Sequence, residues 1–126
     1  MLTDVYPCVR YEDARAAMKW LAEVLGFREL MVSADGDQVH HAEMAFGEGS
    51  IMLGSRPTGA YGGAVGKLGP AEVYLAVDDI KGHHERAVAA GAEVIMPLED
   101  HGYGWGYTVR DPEGNVWSVG SYRPQP

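Results

Sequence analysis

The chain carries one pattern twice, the second copy lying about 66 residues after the first. In each copy a short apolar strand leads to an aspartate, Asp13 or Asp79, placed to cap the first free amides of a helix. The turn at residues 47–50 corresponds within one residue to the turn at 112–115. Such a repeat indicates a tandem duplication with approximate twofold symmetry.

Hydrophobic spacing predicts one helix and four strands in each copy. Apolar residues recur at helical spacing over residues 14–25, and Gly26 supplies a stop. In the second helix, the residues predicted to face inward are Ile80, His84, Ala87 and Val88. Strands are predicted over residues 5–11, 28–33, 38–46, 50–55, 72–77, 94–96, 104–109 and 116–122.

The length of the chain predicts a single domain. Its 126 residues, 46% of them hydrophobic, can supply one core. Module 1 is predicted over about residues 4–57 and module 2 over about 71–123. The glycine-rich segment 58–70 between them is predicted to be a flexible linker. Residues 1–126 are thus expected to form one domain of two modules.

Charge and cysteine content restrict partners and compartment. A net charge of −8 disfavours nucleic acid and anionic membranes and favours cationic or neutral partners. No apolar run approaches the roughly 20 residues that cross a bilayer. The single cysteine, Cys8, cannot form an internal disulfide. We therefore expect a cytoplasmic protein.

Four segments stand in a characteristic order along the chain: VRYEDARAAMKWLAEVLGF, HAEMAFGEGSIMLGS, VDDIKGHHERAVAAGAEV and VRDPEGNVWSVGSY. Together they resemble the vicinal-oxygen-chelate superfamily of glyoxalases, extradiol dioxygenases and bleomycin-resistance proteins, especially its small metal-poor branch. The resemblance covers nearly the whole chain. It implies an α+β fold in which two tandem βαβββ modules form a curved mixed sheet round a shared cleft. It also implies a homodimer.

The resemblance further implies where a metal would bind. Enzymes of the superfamily hold a divalent metal with one side chain from the first and last strand of each module. These positions correspond to Tyr6, Met52, Glu72 and Ser118. Metalloenzymes of the superfamily carry His, Glu or Gln there, because a hard or borderline divalent ion needs imidazole, carboxylate or amide oxygen donors, and only Glu72 is one of these. We therefore expect no cofactor; the alternative is Zn, Ni or Fe at a displaced site.

Strand alternation maps the same cleft independently, because successive side chains face opposite sides of a sheet. Residues such as Val9, Ala42 and Leu75 suit the face packed on the helices, which leaves their neighbours for the cleft. The predicted ligand-binding residues are Tyr6, Arg10, His41, Glu43, Met52, Glu72, Tyr74 and Ser118, with Trp105 or Tyr107 added from the seventh strand. Aromatic and ionisable groups together are typical of a small-molecule pocket.

Several polar residues allow more than one interpretation. His41 and Glu43 suit a base and its orienting carboxylate, ligands of a nonstandard metal site, or a solvated strand face. Glu72 suits a cation-binding carboxylate or an ion pair with Arg10. His83 and His84 on the second helix are predicted to be structural. Arg110 and Asp111 are predicted to fix the turn 111–114. His101 is predicted to lie on a loop at the cleft mouth.

These features favour a non-catalytic, metal-independent protein of the drug-resistance type that sequesters a planar or cationic small molecule. Two alternatives stay open. One is a lactoylglutathione-lyase-like isomerase or a dioxygenase with a displaced metal site built from His41, Glu43 and Glu72. The other is a partner-binding subunit whose cleft is filled by its own side chains. No catalytic residue is assigned.

Overall fold

Two copies of the same strand and helix order make up the computed structural model, which describes residues 2–65 and 69–125. The first copy contains β1 (Cys8–Tyr11), α1 (Ala14–Trp20), a π-helical turn (Leu21–Leu25), β2 (Arg28–Asp35), β3 (Gln38–Phe46) and β4 (Gly49–Ser55). After α2 (Gly59–Val65), the second copy contains β5 (Glu72–Ala76), α3 (Ile80–Ala89), β6 (Glu93–Asp100), β7 (Trp105–Arg110) and β8 (Val116–Gly120).

Each copy forms its own four-stranded mixed sheet. The strand orders are β1-β4-β3-β2 and β5-β8-β7-β6, with the first pair in each order parallel and the others antiparallel. The register repeats as well, because Cys8 lies opposite Met52 and Tyr74 lies opposite Ser118. The predicted α+β fold with two βαβββ modules is confirmed.

Contacts between backbone positions divide the chain into two compact units. The first runs to Ala22 and from Gly26 to Gly69, and the second comprises Glu23–Leu25 and the residues from Pro70 onward. In the first unit α1 packs on β1, β3 and β4, and in the second α3 packs on β6 and β7. The apolar residues predicted on the first helix face are buried as expected: Ala14, Ala17, Met18, Leu21, Val24 and Leu25.

Local capping explains where the helices begin. Asp13 Oδ1 accepts a hydrogen bond from the Ala16 amide at 3.0 Å, and Asp79 Oδ1 accepts one from the Gly82 amide at 3.0 Å. Both predicted caps are confirmed. They satisfy amides that the first helical turn otherwise leaves without a partner.

Three details of the sequence prediction are wrong. The first strand begins at Cys8 rather than residue 5, because Pro7 has no amide hydrogen to continue the ladder. The segment 58–70, predicted to be a flexible linker, contains helix α2, although its residues 66–68 lie outside the described residues. On α3 it is His83, with Ile80 and Ala87, that is buried, whereas Val88 is 49% exposed.

The turn after β7 is organised by a buried carboxylate. Asp111 Oδ1 accepts from the amides of Glu113 and Asn115, both at 3.0 Å. Its Oδ2 accepts from Trp117 Nε1 at 3.1 Å and from Asn115 Nδ2 at 3.1 Å. Asp111 thus fixes the turn as predicted, whereas Arg110 lies 3.6 Å from a Glu93 carboxylate oxygen instead.

Among the described residues, every helix is too short or too polar to cross a bilayer.

Candidate functional site

Four of the predicted ligand-binding residues lie on one face of the first sheet: Arg10, His41, Glu43 and Met52. Met52 of β4 is opposite Glu43 of β3, and opposite residues share a face. His41 lies two residues before Glu43 and so faces the same side. His41 Nε2 is 2.8 Å from Glu43 Oε2, and the two side chains are 39% and 40% exposed. The sequence prediction of a shared face is confirmed, and the pair is in direct contact.

Arg10 shares this face, whereas Tyr6 lies outside the strand. Arg10 lies in β1 opposite Gly54, is partly buried, and donates from Nη1 to the Ser55 carbonyl at 3.4 Å. Tyr6 precedes β1 and is 50% exposed. The residue of β1 opposite Met52 is Cys8. Tyr6 therefore lies beyond the strand that was predicted to present it.

The second unit contains a cavity of about 260 Å³ that borders β5, β7 and β8. Five of the predicted ligand-binding residues line it: Glu72, Tyr74, Trp105, Tyr107 and Ser118. Ser118 is opposite both Tyr74 and Thr108, and its Oγ is 3.0 Å from Thr108 Oγ1. One side of the cavity thus offers a carboxylate and a pair of hydroxyls, which can orient a polar group of a ligand.

Four aromatic residues, His101, Tyr103, Tyr122 and Tyr74, form an aromatic cluster at this cavity. The rings of His101 and Tyr103 stack with centroids 5.7 Å apart, and Tyr103 meets Tyr122 edge-on at 5.6 Å. Tyr74, Tyr103 and Tyr122 are 44%, 69% and 45% exposed. Their ring surfaces are therefore accessible for stacking on a ligand.

Two members of the aromatic cluster, Tyr103 and Tyr122, are absent from the predicted set. Tyr103 lies in the glycine-rich loop before β7, and Tyr122 follows the end of β8. The available signal is the alternation of glycine with aromatic residues over residues 101–107. His101 lines the cavity, which agrees with its predicted place on a bordering loop.

Tyr107 also lines the cavity, but its side chain is directed toward α3. It is buried, and its hydroxyl lies 2.6 Å from His83 Nδ1 on α3. Burial raises the pKa of Tyr107 to about 12. The Tyr107 side chain faces α3 because strand alternation places Gly106 and Thr108 on the opposite face of β7.

Trp105 also borders the cavity, but Lys81 Nζ lies 4.7 Å from its ring centroid. A ligand contact by Trp105 stays a prediction.

Comparison with known proteins identifies the family. Residues 5–119 match the Glyoxalase/Bleomycin resistance protein/Dioxygenase superfamily. The chain belongs to this superfamily.

Three solved structures share the fold. TioX from Micromonospora sp. ML1 is 31% identical with a TM-score of 0.81, covering 95% of this chain and 100% of that one. TnmS3, an antibiotic binding protein from Streptomyces sp. CB03234, is 19% identical with a TM-score of 0.72, covering 94% and 96%. Lactoylglutathione lyase from Agrobacterium tumefaciens is 18% identical with a TM-score of 0.71, covering 94% and 92%. The last two similarities concern the fold alone.

The metal positions that the superfamily resemblance implies do not carry a matching donor set. Glu72 is the one carboxylate among them; Met52 is a thioether, and the Ser118 hydroxyl is already hydrogen-bonded with Thr108. Within residues 2–65 and 69–125, no group of three or more His, Cys, Asp or Glu side chains is arranged to hold a metal ion. These residues therefore do not fit the usual metal centre of the superfamily.

Proposed function

We propose that this protein binds and sequesters a planar or cationic small molecule without a metal. The observation that carries the proposal is the aromatic cluster of the second unit, in which three accessible tyrosine rings border a cavity of about 260 Å³. Aromatic faces stack on flat ligands and attract cations. Sequestration needs only this affinity and no reacting group.

Charge adds a preference for cations. Glu72 lines the same cavity, and the net charge of −8 attracts cations over a longer range. TnmS3, whose fold is shared, is an antibiotic binding protein, which is consistent with sequestration as the role. We therefore propose that the ligand combines a flat ring system with a positive charge.

Glu72→Gln is expected to weaken binding of the planar cation proflavine about threefold. Glutamine keeps the side-chain size but removes the charge, and exposed charge pairs contribute less than about 1 kcal/mol. Binding of the planar anion anthracene-9-carboxylate should become tighter or stay the same. Fluorescence titration measures both affinities.

The control for this substitution is Glu85→Gln on the exposed side of α3, which removes the same charge away from the cavity. It should change proflavine affinity less than half as much. Equal losses for the two variants, or no loss for Glu72→Gln, would contradict the role given to Glu72.

A metal-dependent lyase, isomerase or dioxygenase is the second candidate, and the His41–Glu43 pair favours it. A histidine held 2.8 Å from a carboxylate suits a general base with its orienting group. Imidazole and carboxylate are also donors that divalent metals accept. About one zinc, nickel or iron per purified chain would favour this candidate, whereas trace metal would favour the binding protein.

We also propose that the protein works in the cytoplasm as a homodimer. The single, exposed Cys8 is unpaired, which suits a reducing compartment. Closed symmetric dimers are the commonest oligomers. Light scattering should give twice the chain mass of 13.6 kDa. A monomer mass that does not change with concentration would contradict the dimer.

A further inference from the structure

The Tyr74 side chain lies along strand β8. Its backbone is opposite Ser118, yet its hydroxyl donates to the carbonyl of Tyr122 at 2.6 Å. Tyr122 comes two residues after the end of β8 at Gly120. The ring therefore passes Gly120 on its way to the Tyr122 carbonyl and is held at both ends, by its own backbone and by this hydrogen bond.

Gly120 leaves the room that this arrangement needs. A β-carbon at position 120 would stand 2.5 Å from Tyr74 Oη and 3.0 and 3.1 Å from Cε1 and Cζ of the same ring. These are the three nearest atoms, so the Tyr74 ring is the first group that a side chain at 120 would displace. Gly120 is also not among the glycines with positive φ, so alanine suits its backbone.

We propose that Gly120 is a specificity-determining residue, which acts with the Tyr122 carbonyl to hold the Tyr74 ring against β8 and so keeps the cavity shaped for flat ligands. This inference rests on the proposed binding function and adds the feature that selects among cations. A ring fixed before the ligand arrives loses little freedom on binding, which favours ligands whose shape matches the fixed wall. A ring pushed away from β8 would narrow the space beside Tyr103 and Tyr122, which line the same cavity.

The test compares two cations of equal charge and different shape. For the flat cation proflavine, Gly120→Ala is expected to lower affinity about tenfold, the size of one lost stacking contact. For tetraphenylphosphonium, whose rings are not coplanar, the change should stay under about twofold. Tyr74→Phe keeps the ring but removes the donor to the Tyr122 carbonyl. The affinity ratio is the affinity for proflavine divided by the affinity for tetraphenylphosphonium. Tyr74→Phe should lower this ratio, as Gly120→Ala does, but by a smaller factor.

A double-mutant cycle separates positioning from general disruption. In a Tyr74→Ala background, Gly120→Ala should have no further effect on the affinity ratio, because the ring that it displaces is gone. Gly63→Ala is the matched control, since a β-carbon there meets nothing within 4 Å. It should leave the affinity ratio unchanged.

A ligand-free readout tests the position of the ring directly. In NMR spectra of protein with ¹³C-labelled tyrosine, Gly120→Ala should shift the Tyr74 ring signals, because the ring leaves the Tyr122 carbonyl that its hydroxyl contacts at 2.6 Å. Unchanged Tyr74 ring signals would overturn the positioning role whether or not any ligand binds.

The outcomes for the two proposals are distinct. If the natural protein binds neither cation, the proposed function fails, and the selectivity assigned to Gly120 fails with it. If the natural protein binds proflavine but Gly120→Ala weakens both cations equally, only the role of Gly120 is overturned. The same conclusion follows if Gly120→Ala still lowers the ratio in the Tyr74→Ala background.

Discussion

Asp111→Ala is expected to lower the free energy of unfolding by about 3–5 kcal/mol. The carboxylate is buried and accepts hydrogen bonds from the amides of Glu113 and Asn115 and from the Trp117 indole. Alanine would remove the acceptor that these donors share, and each polar group left unsatisfied inside the protein costs about 1–3 kcal/mol. Urea denaturation at pH 7 measures the loss.

Two further variants test whether the Asp111 network is the cause. Asp111→Asn keeps the shape of the side chain and one acceptor oxygen. It should therefore lower the free energy of unfolding roughly half as much as Asp111→Ala does. Glu85→Ala, on the exposed side of α3, should change the free energy of unfolding by less than about 0.5 kcal/mol. A loss below about 1 kcal/mol for Asp111→Ala would show that the turn is held by other contacts.

His83→Ala is expected to lower the free energy of unfolding by about 2–4 kcal/mol at pH 8. His83 is buried, with Nε2 2.7 Å from the Leu25 carbonyl and Nδ1 2.6 Å from the Tyr107 hydroxyl. A carbonyl can only accept, so Nε2 carries the proton and Nδ1 accepts from the tyrosine. The neutral ring therefore satisfies both neighbours, and its removal leaves a cavity and two unpaired groups.

The same site predicts a pH dependence of stability. Burial lowers the pKa of His83 below its ordinary value of 6.5, with nearby Arg86 acting in the same direction. The unfolded chain then binds a proton more readily than the folded one, so stability rises with pH in this range. The contribution of His83 is complete above about pH 6.5 and is lost as the pH falls toward the lower folded pKa.

The difference in stability between the natural protein and His83→Ala should therefore shrink between pH 8 and pH 5. His84→Ala serves as the control, because His84 is only partly buried and contacts Tyr107 through its ring edge. This variant should lower the free energy of unfolding by less than about 1 kcal/mol at pH 8. If the stability difference between the natural protein and His83→Ala does not change with pH, the inference that His83 is neutral and hydrogen-bonded in the folded protein is wrong.

The elements that the sequence predicted well are those with local signals. Asp13 and Asp79 cap their helices through amides three residues away, and Gly26 ends the first helix with a φ of 91°. Such contacts depend only on neighbouring residues. The repeat then transfers the pattern from one module to the other, so the fold class follows from the sequence alone.

Helix phase and strand facing were harder to predict. His83 and His84 are adjacent, and one residue of phase decides which is buried on α3; the sequence favoured the wrong one. On β7, aromatic residues suit both the helix-packed face and a ligand cavity, so the alternation does not say which face Tyr107 occupies. Tertiary packing against α3 decides it.

The aromatic cluster depends on contacts that are distant in sequence. Tyr103 belongs to a loop and Tyr122 to the chain after β8, and the hydrogen bond from Tyr74 to Tyr122 spans 48 residues. Alternation within strands cannot place such residues, because their positions follow from the path of loops. Glu72, Tyr74 and Ser118 lie on strands, and these were predicted to share one face and line the same cavity.

Metal-independent binding is tested most directly by titrating proflavine into protein stripped of metal with a chelator. Stacking on the aromatic cluster should give a Kd on the order of 1–100 μM, which corresponds to about 5–8 kcal/mol. Adding zinc, nickel or iron should leave that Kd unchanged, and Tyr103→Ala should raise it about tenfold. The opposite result is proflavine binding that disappears on metal removal and returns with one equivalent of metal per chain. It would contradict metal-independent binding and favour the metal-dependent enzyme.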